Sequence, residues 1–222
     1  PDMSYIDEIA KDQIDKKKYE EDYNREDFTI QSDYGYSLSG SIIPKIPHSS
    51  QIKPRNSKEK VVVFAHGYSY CKYGGVKYID IFRDLGFTCV IYDHRNHGYS
   101  GKAPTTMGYY EARDLKKVCD YVRDRFAEDI IIGTHGESMG GATVMMNAAL
   151  DRGLAFVIED CGYSDLSSQL SHNMKSIYHL PRFPFLGIAS VFSKLRGGVY
   201  FSQVIPKNVL AECEATPMLF LH

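Results

Sequence analysis

The chain has 222 residues, 43% of them hydrophobic and 24% charged, with a formal net charge of -2. That length suits one large α/β domain or two small ones, with ample material for a core. The near-neutral balance argues against a nucleic-acid binder, which carries a basic excess or stripe.

Five cysteines, Cys71, Cys89, Cys119, Cys161 and Cys213, are odd in number, widely spaced and without a CxxC pair. They read as free thiols in a reducing compartment, not as a disulfide framework or zinc site. Cys89 and Cys119 fall in apolar-periodic segments and are expected in the core. No apolar run approaches the roughly 18–20 residues that span a membrane, and no secretory leader is visible. A cytoplasmic protein is therefore expected. Membrane-anchored or extracellular placement stays open if an upstream segment was removed.

Residues 1–27 are polar and charge-rich, with Ile6, Ile9 and Ile14 loosely spaced like one helical face; a peripheral helical extension with a solvated face is expected. Asp27–Ser32 and Tyr36–Ile43 alternate around the turn signal Asp33-Tyr34-Gly35-Tyr36, which predicts an antiparallel hairpin. Pro44–Lys60, rich in Pro, Ser and Lys, predicts a surface loop. Val61–His66 is a continuous apolar run, as in a strand buried on both faces. Val76–Gly86 predicts a helix, Thr88–His94 a buried strand, and Tyr109–Phe126 a helix with Ala112, Leu115, Cys119, Val122 and Phe126 along one stripe. Asp129–His135 and Ala155–Asp160 predict strands, Gly141–Leu150 a helix, and Pro217–His222 the start of one more strand. This alternation asks for a mostly parallel sheet with helices on both faces. Gly162–Gln203 breaks the alternation and is expected to form a small helical cap, residues 163–203, inserted in a domain of residues 28–222.

Gly136-Glu137-Ser138-Met139-Gly140 matches G-x-S-x-G between a buried strand and a small-residue helix. That context is the one expected of a nucleophile elbow, in which a strained turn holds the serine at a helix N-terminus. A glycine-rich turn with a solvated or N-capping serine is the plain alternative. If Ser138 attacks an acyl carbon, the resulting oxyanion needs two fixed backbone N–H donors. Met139, directly after the serine, and Tyr68, in His66-Gly67-Tyr68 after the first buried strand, are the expected pair. His66 is expected to pack and hydrogen-bond beneath that loop. In Tyr92–Gly101, Asp93 and Arg95 are expected to shape the turn by hydrogen bonds; His94 and His97 with Asp93 are a weaker metal reading, and no metal is assigned.

With these stretches in order, the chain resembles the α/β-hydrolases. It is most similar to bacterial serine hydrolases carrying "HGESMG", followed by a strand ending like "EDCGYSD" (Glu159–Asp165) and a cap containing "KLRGG" (Lys194–Gly198). The resemblance implies a Ser-His-Asp triad, hydrolysis of a small-molecule ester or related acyl bond, and no cofactor. In that fold the order is Ser, acid, His. The acid and His are therefore expected after His222 and not in this chain. Asp160 is a possible alternative acid. His172 and His179 lie in the expected cap and are poorly placed as bases. His222 is expected to have a loop role, and His135 to point into the sheet. The chain is read as a fragment, because a sheet ending in a bare strand leaves unpaired backbone and apolar surface. Rival readings are a peptidase or thioesterase on the same fold, or a non-catalytic binding module using the cap. Haloalkane or epoxide chemistry would need Asp at position 138. The stretch Tyr178–Phe192 is expected either to line an apolar substrate pocket or to form plain cap core.

Overall fold

A computed structural model describes residues 14–47, 58–126, 130–210, 212–213 and 216–222. Ile6 and Ile9 of the expected N-terminal helix lie outside the described residues. Seven strands form one sheet in the order β1-β2-β4-β3-β5-β6-β7. β1 (Glu26–Gln31) and β2 (Ser37–Ile43) make the expected hairpin, and β2 runs antiparallel to β4 (Thr88–Tyr92). β3 (Glu59–Ala65), β4, β5 (Ile130–Glu137), β6 (Phe156–Asp160) and β7 (Met218–Leu221) are mutually parallel.

The apolar runs explain the layering. Side chains alternate across a strand, so a continuous run feeds both faces of the sheet. Val61, Val63 and Ala65 of β3, with Val90 and Tyr92 of β4, pack with Leu115, Val118, Cys119 and Val122 of α3 (Tyr109–Phe126). Val144 and Ala148 of α4 (Met139–Leu150) join the same cluster. The intervening residues Val62, Phe64, Cys89 and Ile91 pack on the other face against Val76 and Ile79 of α2 (Val76–Asp84). Cys89 and Cys119 are core, as their segments predict. Phe126 is only partly buried at the end of the α3 stripe.

The described part of the N-terminal extension has the expected solvated face, at Lys17, Glu20, Glu21 and Asp22, and a buried side as well. Helix α1 (Ile14–Asp22) is more than a solvated face, because Tyr19 and the following Tyr23 are buried in the α2 layer. Their hydroxyls explain why two aromatics were worth placing in so polar a segment: Tyr19 bonds Ser41 (2.6 Å) and Asp27 (3.0 Å), and Tyr23 donates to Asp80 (2.9 Å). A buried Tyr needs such a partner for its polar end.

Gly162–Gln203 contains α5 (Leu166–Ser176), α6 (Phe185–Gly197) and a short 3₁₀ turn, Phe201–Gln203; α7 (Pro206–Leu210) follows. Tyr163, Leu166, Val199 and Val204 tie this segment to Ala142 of α4. Because β3 to β6 are parallel, the segments after Ala65, Tyr92, Glu137 and Asp160 all emerge at one edge of the sheet. In open α/β sheets that carboxyl edge is where ligands bind.

Candidate active site

β5 runs two residues beyond the expected strand, and α4 begins at Met139, two residues earlier than expected. Ser138 is therefore the only residue between strand and helix. Its backbone has φ 56° and ψ -115°, and its side chain makes no capping hydrogen bond. A non-glycine residue in such a region stores about 1–3 kcal/mol of strain, which the surroundings must hold. Here the holding contacts are visible. Ser138 N–H donates to the Asp160 carbonyl (2.8 Å), and Ala142 N–H donates to the Ser138 carbonyl (3.2 Å). The two motif glycines permit the bend. A Cβ on Gly136 would lie 2.1 Å from the Gly140 carbonyl oxygen, and one on Gly140 would lie 2.0 Å from that of Ala65. No side chain fits either gap.

The Ser138 side chain is exposed, in a cleft lined by Gly67, Tyr68, Tyr70, Gly74, Lys77 and Glu137. A Cβ on Gly67 would stand 3.5 Å from the Ser138 Cβ, so the loop after β3 passes alongside the serine. His66 fixes that loop from below. It is buried, its Nε2 accepts the His94 N–H (2.9 Å), and its Nδ1 lies 2.7 Å from the Gly67 carbonyl oxygen. Because Nε2 accepts, the proton sits on Nδ1 and is donated to Gly67. Burial pushes the His66 pKa down to about 3, with His97 adding to the shift. The ring is neutral and committed at both nitrogens, so it holds structure and is not a free base. In a trans peptide C=O and N–H point in opposite directions, so the Tyr68 N–H points away from the bond that Gly67 makes to His66. The Met139 N–H opens α4, where the first N–H groups have no acceptor inside the helix.

The turn after β4 supports this loop, as expected of Asp93 and Arg95. Asp93, fully buried, accepts the N–H groups of Lys72 (2.7 Å) and Tyr99 (3.0 Å), joining the β3 and β4 turns. Burial raises its pKa to about 6, with Lys72 and the two amides pulling it back. Arg95 donates through Nε to Asp114 (2.8 Å) and also bonds the Tyr36 hydroxyl. His97 Nδ1 lies 2.8 Å from the Arg95 carbonyl oxygen. Among the described residues no group of three or more His, Cys, Asp or Glu is arranged to hold a metal.

None of the remaining sequence candidates is among the residues that line the Ser138 cleft. Asp160 accepts the Tyr78 hydroxyl (2.6 Å), which holds its carboxylate below the usual range; its side chain has no hydrogen-bonded histidine. His135 is buried against Tyr78, Phe64 and Phe82, and burial lowers its pKa to about 4. His172 and His179 are exposed on and just after α5, and His222 is exposed after β7. Asp165 caps α5 by accepting the Ser168 N–H (2.9 Å). Among the described residues, no histidine hydrogen-bonds the Ser138 hydroxyl. Tyr178–Phe192 does not form the plain cap core that was one of its two expected roles. Most of it is exposed, so it is not core, and Phe183–Phe192 lines a groove that shares no residue with the Ser138 cleft. Sequence reasoning passed over Lys77 and Glu137, which form an ion pair (2.8 Å) at the mouth of the cleft. Lys77 lies 60 positions from Glu137 on another element, and nothing local marks it.

Residues 60–158 match the family model described as alpha/beta hydrolase fold. The chain has the α/β-hydrolase fold. YqkD, an uncharacterized protein of Bacillus subtilis strain 168, is 36% identical over 197 residues, covering 88% of this chain; the chain spans 61% of that relative's length. Among solved structures, the Pyrococcus furiosus esterase Pf2001 superposes with a TM-score of 0.68 at 22% identity, over 91% of this chain and 71% of that one. A highly thermostable carboxyl esterase from Bacillus coagulans gives 0.53 at 21%, over 70% and 50%. At those identities the likeness carries the fold.

Proposed function

We propose that this α/β-hydrolase is a serine hydrolase of carboxylesterase type, with residues 163–203 acting as its cap. Ser138 Oγ attacks an acyl carbonyl of a small-molecule ester. The N–H groups of Met139 and Tyr68 stabilise the oxyanion, and a histidine takes the serine's proton and returns it to the departing alcohol. Water then releases the acyl group from the serine. The histidine and its acid are proposed to lie after His222 in the whole protein, in the order that the fold uses. Asp160 is the weaker candidate for the acid, since its side chain is engaged by Tyr78.

The observation that carries this reading is the left-handed backbone of Ser138, with its side chain exposed in the cleft. An N-capping serine would have extended backbone and a side-chain bond to the helix, and Ser138 has neither. The reading is supported further by the start of α4 at Met139 and by the close passage of the His66-held loop beside Ser138. Titration of the full-length protein with a fluorophosphonate probe tests the reading. The wild type is expected to form one adduct on the peptide containing Ser138, and Ser138→Ala none. A wild type that stays unlabelled and leaves simple acyl esters intact would overturn it.

A further inference from the structure

Helix α6 is amphipathic in the reverse sense. The face turned to the body carries Leu186, Ser190, Ser193 and Gly197, of which only Leu186 is large, apolar and buried. The two serines are engaged in hydrogen bonds: Ser190 Oγ accepts the Phe201 N–H (3.1 Å), and Ser193 Oγ donates to the Val199 carbonyl (2.8 Å). The outward face carries Ile188, Val191, Phe192 and Leu195 at spacings of three and four, and Phe183 stands just before the helix. Together these five line one groove; Phe183 is 86% exposed and Leu195 76%. A helix seated on a core turns its apolar stripe inward. A contiguous outward patch of this kind marks a docking surface.

The charge around it has one sign. From Leu166 to Pro206 the sequence contains Lys175, Arg182, Lys194 and Arg196, and no Asp or Glu, in a chain whose net charge is -2. All four cations are exposed. Lys175 and Arg182, with His179, line a second groove, and its Arg182 directly precedes Phe183 of the apolar one in the chain. A groove with basic residues is thus followed in the chain by an apolar one.

We propose that this face docks on an anionic phospholipid bilayer. Phe183, Ile188, Val191, Phe192 and Leu195 enter the boundary between headgroups and acyl chains, and the four cations meet lipid phosphates. The charge pattern selects this occupant over a second copy of the chain: a two-fold contact sets a patch against itself and would bring cations onto cations. No helix among the described residues is long and apolar enough to cross a membrane, so the contact is with the surface. This surface is independent of the proposed chemistry at Ser138.

Co-sedimentation of the full-length protein tests it, using vesicles of phosphatidylcholine with or without about 30 mol% phosphatidylglycerol. Binding is expected to the anionic vesicles, to weaken as salt is raised, and to protect residues 180–196 from hydrogen exchange. Phe183→Ser/Phe192→Ser should lower partitioning at least tenfold. Arg182→Gln/Arg196→Gln should do likewise, at roughly fivefold per charge. Unchanged thermal melting would show that both variants fold. Failure to pellet, indifference to headgroup charge, or variants that bind like wild type would overturn the proposal. So would finding this face already protected in the lipid-free protein, by its own chain or by a second copy. None of these results depends on whether Ser138 is labelled by a fluorophosphonate.

Discussion

Gly140 carries the tightest steric demand at the proposed site. Any Cβ there would sit 2.0 Å from the Ala65 carbonyl oxygen, a backbone atom that cannot rotate away. Gly140→Ala should therefore lift α4 from β3 at about 1–3 kcal/mol, the range for overpacking. The urea midpoint should fall accordingly, and fluorophosphonate labelling of Ser138 should slow with it. A variant as stable and as reactive as wild type would show that the close approach is not needed. A second prediction concerns His66, which holds the Gly67 carbonyl and so orients the Tyr68 N–H. His66→Phe fills the space but cannot donate. If Tyr68 is an oxyanion donor, kcat should drop by roughly tenfold to a hundredfold, somewhat less than outright loss of a donor, with KM little changed. Equal loss in KM would point to a general disturbance of the cleft. The sharp turn at Ser138 and the close approach at its glycines were legible from spacing and flanking pattern. His66 was expected to pack and hydrogen-bond under the loop, but its partners were not legible, because they are the Gly67 carbonyl and the N–H of His94, 28 positions away. Lys77 and Glu137 were not legible at all, since neither position departs from an ordinary helix or strand residue.

At the scale of elements, the strands were readable where burial on both faces removes alternation, as in Val61 to Ala65, and the helices where a stripe repeats, as in α3. Boundaries shifted where backbone geometry decides. β5 continues through Gly136 and Glu137 because they pair with Glu159 and Asp160 of β6, a long-range contact with no local sign. Helix α1 has the expected solvated face at Lys17, Glu20, Glu21 and Asp22, while its anchors Tyr19 and the following Tyr23 were hidden among the charges. Helix α6 departs from the plain cap core that was one of its expected roles, because its apolar residues point outward. Asp165 accepts the Ser168 N–H at the start of α5 and lies 3.6 Å from Lys207. Asp165→Ala should cost about 1 kcal/mol, typical of a lost N-cap. Hydrogen exchange should then speed up roughly fivefold in α5 and stay unchanged in β3 and β5. A uniform acceleration across the sheet would mean that α5 does not open on its own.

For the whole molecule, the buried imidazoles should govern stability at mildly acid pH. His66, His94 and His135 are all depressed by burial, to about 3 for His66 and about 4 for His135, and well below the ordinary 6.5 for His94. Below pH 6.5 the unfolded chain binds protons that the folded chain refuses, so these groups remove stability as pH falls, until their folded pKa values are reached. Between pH 7 and pH 5 each should remove about 2 kcal/mol. Asp93 works the other way. Its folded pKa of about 6 lies above the ordinary 3.8, so the folded chain takes up a proton first and gains about 1 kcal/mol over the same interval. Those three histidines outweigh one aspartate, leaving a net loss of about 5 kcal/mol, a large part of the roughly 5–15 kcal/mol that holds a domain together. Urea unfolding at pH 7 and pH 5 should show this as a marked fall in midpoint. His135→Phe offers a direct check, because Tyr78, Phe64 and Phe82 already surround that ring with aromatic neighbours. The variant should keep its stability at pH 7 and lose about 2 kcal/mol less than wild type on going to pH 5. If its pH dependence matched the wild type's, the acid sensitivity would have to come from groups other than this histidine.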